Sequence, residues 1–210
     1  NVYTNDYLKA LKPALGIEIF HNFTLLHDDL MDNSTIRRNK PTVHKKWDPN
    51  TAILSGDAMS IIANQYICKV EESILREVLD HFNQTAVQVC EGQMMDMDFE
   101  NRWDVTQDEY IKMIELKTSV LIATCLRIGA LIGGAAEKEA DLLYNYGLNL
   151  GIAFQLQDDY LDSFGDTKTF GKKVGNDIIN NKKTFLMINV IKSAVKDDKA
   201  RLMRLLDTDD

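Results

Sequence analysis

Two stretches carry the same spacing of acids, each at the end of a largely apolar run. "HDDLMDNSTIRR" begins at His27 and "QDDYLDSFGD" begins at Gln157. Each places acids at i, i+1 and i+4: Asp28, Asp29 and Asp32 in the first, Asp158, Asp159 and Asp162 in the second. The first follows "ALGIEIFHNFTLL" and the second follows "LLYNYGLNLGIAFQL". On a helix, residues four apart share a face, so Asp28 points with Asp32 and Asp158 with Asp162. His21 continues the first stripe and Gln155 the second. Two carboxylates ~4 Å apart repel by on the order of 4 kcal/mol at an effective dielectric near 20. A solvated helix end would explain one copy. Two copies on apolar helices require counter-charge. An all-oxygen donor set with no His or Cys at ligand spacing suits Mg2+, with Mn2+ as the other choice.

The hydrophobic period elsewhere is 3.6 residues. Helices are expected over 14–32, over "NTAILSGDAMSIIANQYICKV", over 73–99, from Val105 to Gly134, over 139–165 and over 181–195. The first is apolar nearly all round and reads as a central helix. Thr106 and Glu109 stand at capping-box spacing. No strand alternation is legible. The two longer connections, 33–50 and 163–180, each follow an acidic motif, where binding loops belong. The fold class is all-α: one domain over 1–210, a single bundle of long helices around a central cavity. The apolar run 118–136 is broken by Arg127, which is costly in lipid, so it reads as a buried helix and no membrane span is expected.

A net charge of −8 argues against nucleic acid as a partner. The basic residues cluster just behind the acids, at Arg37, Arg38, Lys172, Lys173, Lys182 and Lys183. That pattern fits a small anionic ligand held through a metal ion. Cys68, Cys90 and Cys125 form no C-x-x-C, which points to a reduced, cytoplasmic protein. "EIFH" has the E-x-x-H form of di-iron bundles, but no second copy accompanies it.

Together, "LLHDDLMDNSTIRR", "GQMMD", "LKTS", "FQLQDDYLD", "GDTKTFGKK" and "DIINNKK" resemble the trans-isoprenyl diphosphate synthases of the polyprenyl synthetase family. The resemblance covers residues from about 16 to 185, in the family's order. It implies the isoprenoid synthase fold and a homodimer. It implies condensation of isopentenyl diphosphate with an allylic diphosphate. Asp28, Asp29, Asp32, Asp158, Asp159 and Asp162 would hold three Mg2+ ions on the allylic diphosphate, with Arg37 beside them. Arg38 and His21 would contact the diphosphate of isopentenyl diphosphate. Lys117, Thr118 and Gln155 would line the reacting centre, with Gln93 and Asp96 near it. Lys172 and Lys182 would add charge over the leaving group.

The chemistry agrees with those roles. Breaking an allylic C–O bond leaves an anion for metals and cations to stabilise, and a carbocation for oriented oxygens to stabilise without trapping. The chain departs from the family pattern at Asn39, where Gly is usual; Asn tolerates left-handed backbone. "GKK" carries one extra residue, so Lys172 and Lys173 compete for one role. The family's G-K-x-R segment would precede Asn1 and its final helices would follow the last residue, so the chain is expected to lack both. Phe23, with Thr24 beside it, stands where the family sets product length. A bulky ring there resembles enzymes making fifteen- to twenty-carbon products. A class I terpene cyclase and a non-catalytic subunit of a prenyl synthase are the competing expectations.

Overall fold

A computed structural model of the chain describes residues 2–165 and 175–206. The described residues are mainly helical. They form α1 (Leu8–Met31), α2 (Val43–Lys46), α3 (Pro49–Ile67), α4 (Glu72–Glu100), α5 (Gln107–Ile114), α6 (Val120–Ile132), α7 (Glu137–Phe164), α8 (Asn176–Ile179), α9 (Phe185–Ser193) and α10 (Lys196–Leu206). Local chemistry sets several starts. Asp48 caps α3 by accepting from Thr51 N at 2.9 Å, with Pro49 following. The Thr106–Glu109 capping box forms as its spacing predicts, opening α5. Thr184 caps α9 through Met187 N at 3.2 Å.

Two expectations are corrected. The helix expected to run from Val105 to Gly134 is interrupted by a π-helical turn at Glu115–Ser119. Its wider turn sits against α4, α5, α6 and α7, so this segment, rather than α1, is the hub of the described bundle. In α1 the fully buried residues are Pro13, Gly16, Phe20 and Asp29, while Leu8, Leu11 and Leu15 are exposed. That helix lies along α3 and also meets α2 and α6. Two-residue strands β1 (Ile36–Arg37) and β2 (Lys40–Pro41) pair antiparallel, too short for an alternation to show.

The core has two parts. Phe20, Ala63, Ile67, Val78, Phe82, Val89, Leu116, Val120 and Ile128 join α1, α3, α4, the π-turn and α6. Phe99, Val105, Tyr110, Met113, Ile114 and Ile188 join the C-terminal end of α4 to α5 and α9. Each large side chain buried this way contributes roughly 1.5–3 kcal/mol. Arg127, on α6, is paired with Glu77 at 3.2 Å and Asp141 at 3.0 Å. Among the described residues, no helix is long and apolar enough to cross a membrane.

Candidate active site

The first acidic motif closes α1, and the chain then doubles back through the hairpin. Arg38 and Asn39 occupy its two loop positions with φ of 52° and 59°. A two-residue loop of this hand needs positive φ at both residues, and Asn39 meets that as the sequence reading expects. The hairpin returns Arg37 to the acids. Its Nε donates to both oxygens of Asp29 at 2.8 Å, and its Nη2 reaches Asp28 Oδ2 at 3.3 Å.

Gly92 and Gly151 bring the middle of the site together. A Cβ on Gly92 would overlap the backbone of Lys117, and one on Gly151 would overlap Ser119. The π-turn is therefore clasped between α4 and α7 where neither helix has a side chain. One turn further along each helix stands a polar residue on the same face, Asp96 on α4 and Gln155 on α7. Lys117 Nζ donates to Asp96 Oδ2 at 2.7 Å and to Asp28 Oδ1 at 3.0 Å. Thr118 Oγ1 donates to Gln155 Oε1 at 3.0 Å. Consecutive residues of one π-turn thus reach into two networks, and such turns recur at functional sites.

Lys182 completes the first network. Its Nζ lies 2.8 Å from Asp96 Oδ2, 3.1 Å from Asp32 Oδ1 and 2.7 Å from Glu100 Oε1. In the second network, Gln155 Nε2 donates to Asp159 Oδ1 at 3.0 Å, and the Tyr110 hydroxyl donates to Asp159 Oδ2. Asp162 ties the two motifs together. It accepts from Asp177 N at its side chain and from Gly175 N at its backbone carbonyl. Lys182 N in turn donates to Asp177 O at 2.8 Å. The chain path runs from the second motif, through Asp162 and Asp177, to Lys182 and the first motif.

The charges balance unevenly. Burial raises the Lys117 and Lys182 desolvation cost, but Asp28, Asp32 and Asp96 outweigh it and hold both ammonium groups well above the usual lysine range. Burial also opposes the Asp96 charge, yet the two lysines keep its carboxyl below the usual range. Asp29, Asp32 and Asp159 go the other way. Burial pushes all three up, against Arg37 for Asp29, against Lys182 and Lys117 for Asp32, and against Tyr110 and Gln155 for Asp159. Buried carboxyls of this kind would be held as anions by added positive charge. A divalent ion fits this oxygen-only donor set. Among the described residues no three acidic, His or Cys side chains already converge into a metal cage; Asp28 and Asp32 are turned toward lysines instead.

Other expected site residues lie further out. His21 is partly exposed, 3.9 Å from Glu18. Arg38 is exposed at the hairpin tip. Gln93 Nε2 lies 3.8 Å from Met31 Sδ. Phe23 stacks between Phe20 (5.5 Å) and His27 (4.8 Å), and Thr24 bonds back to His21 O. Lys172, with Lys173, falls outside the described residues.

A family model described as polyprenyl synthetase matches residues 1–210. The chain belongs to the polyprenyl synthetase family. A geranylgeranyl diphosphate synthase of Methanosarcina mazei is 45% identical over 191 residues, covering 90% of this chain and 59% of the relative. A geranylfarnesyl diphosphate synthase of Natronomonas pharaonis is 42% identical over 188 residues, covering 88% of this chain and 54% of the relative. A crystal structure of a geranylgeranyl pyrophosphate synthase superposes with a TM-score of 0.91 at 50% identity, covering 98% of this chain and 62% of that one. The all-α isoprenoid synthase fold of the family is thereby that of this chain. The chain spans about three fifths of the length of the relatives it matches.

Sequence reasoning passes over Tyr110, Glu100 and Asp177, which the structure brings to the acids. Glu100 and Asp177 stand beside quoted motifs, four residues after Asp96 and at the head of "DIINNKK". Tyr110 carries no signal, because a tyrosine on an amphipathic helix reads as core.

Proposed function

We propose that the protein containing this chain is a trans-prenyltransferase, which condenses isopentenyl diphosphate with an allylic diphosphate and makes short all-trans prenyl diphosphates. The observation that carries this reading is the Asp28–Lys117–Asp96–Lys182–Asp32 network. It puts two fixed cations against the acids of the first motif, a surface made for a diphosphate bridged by metal ions.

Asp28, Asp32, Asp158 and Asp162 would hold Mg2+, three ions by analogy with the family. Asp29 and Asp159, whose oxygens engage Arg37, Gln155 and Tyr110, would complete the six from behind. Bound there, Mg2+ supplies electrophilic charge for the departing diphosphate. The chain's own residues do the rest. With Asp28 and Asp32 holding the ions, Asp96 would keep Lys117 and Lys182 together, leaving both ammonium groups to face the leaving oxygens. Arg37 holds the allylic diphosphate, and Lys172 contributes a further positive charge by analogy with the family. Arg38 and His21 hold the isopentenyl diphosphate, with Gln93 near the junction. The oxygens of Thr118 and Gln155 face the developing cation, which they stabilise without forming a bond.

Phe23, braced by Phe20 and His27, would form the floor of the product pocket beside Thr24 and favour products of fifteen to twenty carbons. A second copy of the chain would cover the exposed Leu54 and Ile61 of α3 and Val87 and Met94 of α4. Three free thiols, Cys68, Cys90 and Cys125, support a reduced, cytoplasmic setting.

The test is incubation of the full-length protein with Mg2+, labelled isopentenyl diphosphate and a series of allylic starters. Label appearing in a linear prenyl diphosphate supports the reading. Cyclic hydrocarbon formed without isopentenyl diphosphate would mean a cyclase, and no turnover unless another subunit is added would mean a regulatory chain.

A further inference from the structure

We infer that Tyr110 is a positioning residue for the reacting centre: acting through Asp159, it fixes which end of the Gln155 amide meets Thr118, and so which atoms of Thr118 face the substrate. The inference rests on the function proposed above and adds a residue to it.

Tyr110 is 2% exposed, inside the cluster of Phe99, Val105, Met113, Ile114 and Ile188. Phe185 flanks its ring at 6.3 Å. A phenol buried among such neighbours needs a partner for its hydroxyl, and it donates to Asp159 Oδ2 from across the bundle.

The rest is forced by the inventory of donors and acceptors. A carboxylate only accepts. Asp159 Oδ1, 3.0 Å from the Gln155 amide, must therefore face its NH2 end. The amide oxygen is then left for Thr118, which donates to it at 3.0 Å. A hydroxyl has one proton and two lone pairs. With its proton committed to Gln155, Thr118 has only lone pairs to offer any other neighbour. A carbocation is stabilised by lone pairs and repelled by an O–H proton, so the direction of the chain matters as well as its existence. Without the Tyr110 hydroxyl, among the described residues only the Phe185 backbone N–H still holds Asp159 from behind, the Gln155 amide gains freedom to turn over, and with it the Thr118 proton gains freedom to swing outward. The capping box of α5 and the π-turn after it fix the distance from Tyr110 to Thr118 along the chain.

The experiment compares Tyr110→Phe, Thr118→Val and the double variant in the full-length protein. It measures kcat, KM for both diphosphates, Mg2+-dependent affinity for inorganic pyrophosphate by calorimetry, and melting temperature. Tyr110→Phe lowers kcat by about tenfold, the size of one hydrogen bond to a charged group, and leaves KM and pyrophosphate affinity unchanged. In the double variant the loss equals that of Thr118→Val alone, the non-additivity expected of residues acting through one another. Wild-type kcat in Tyr110→Phe overturns the inference, as do effects that multiply in the double variant. Pyrophosphate affinity that falls together with kcat also overturns it, because Tyr110 would then serve the metal site. Should Tyr110→Phe not fold, 3-fluorotyrosine at position 110 perturbs the same hydroxyl in the folded protein, and Gln155 side-chain amide signals that do not move overturn the inference. If the wild-type protein makes no prenyl diphosphate, it is the proposed function that fails. The hydrogen-bond chain is then read separately, from the side-chain amide protons of Gln155 in 15N-labelled protein. They shift on Tyr110→Phe if the chain exists, and unmoved signals overturn it.

Discussion

Lys117 and Lys182 meet at a single oxygen, Asp96 Oδ2, at 2.7 and 2.8 Å. The two lysines come from the π-turn and from the segment before α9. Each also touches one acid of the first motif, Asp28 for Lys117 and Asp32 for Lys182. Two ammonium groups this close repel, and the buried Asp96 carboxylate offsets that repulsion. The arrangement keeps the cations paired whether or not Asp28 and Asp32 are engaged elsewhere.

Asp96→Asn leaves two buried cations facing each other. The expected loss is about 3 kcal/mol at neutral pH, as when one member of a buried charged group is removed, read from urea unfolding. The pH dependence has a definite sign. The Asp96 pKa is lowered in the folded state, so its contribution is present above the unfolded carboxyl value and is lost as pH falls through the lower folded value. Asp96→Asn removes that part of the acid limb, and a variant with an unchanged acid limb would contradict the account.

Lys183 secures the segment that carries Lys182. It is 3% exposed, its Nζ donates to Asn181 O, Asn181 Oδ1 and Glu100 O at 2.7–3.2 Å, and it lies 4.6 Å from the Trp103 ring. Lys183→Met keeps the length of the side chain but not these bonds. It costs about 2 kcal/mol and weakens Mg2+-dependent pyrophosphate binding, both measurable on one preparation.

His81 governs stability in weak acid. Burial, with Arg127 nearby and Asp141 opposing, lowers its pKa to about 4. Thr124 lies 3.2 Å from its Nε2 and Tyr144 stacks edge-on at 5.2 Å. An unfolded His takes its proton near pH 6.5. Stability therefore falls as pH drops from about 6.5 toward 4, by about 2 kcal/mol after allowance for its partial exposure. His81→Gln, compared with wild type by urea unfolding at both ends of that window, removes this slope.

Phe23→Ala opens the space between Phe20 and His27. The main product is expected to lengthen by at least one five-carbon unit, seen by chromatography of the dephosphorylated products. An unchanged distribution would remove Phe23 from the pocket floor.

The acids were legible because their period matches the helix. The capping box of α5, the left-handed Asn39 and the helical class follow from local rules, which the structure obeys. The π-turn was not legible, because its cause is the meeting of Gly92 and Gly151 with a third segment, a tertiary event that leaves no periodic trace. The same holds for the exposed Leu8, Leu11 and Leu15 of α1, whose apolar composition does not say how many of its faces find a neighbour. Tyr110 was invisible because only its hydroxyl, at the far end of a ring buried like any core residue, distinguishes it.

The central claim is that both acidic motifs act on one diphosphate. Calorimetry of inorganic pyrophosphate binding in the presence of Mg2+ tests it most directly, on the wild-type full-length protein and on Asp28→Asn and Asp158→Asn. The account predicts metal-dependent binding that falls at least about tenfold in each variant, as expected when a charged contact is lost. Wild-type affinity in either variant, or binding that persists after the metal is chelated, would contradict it.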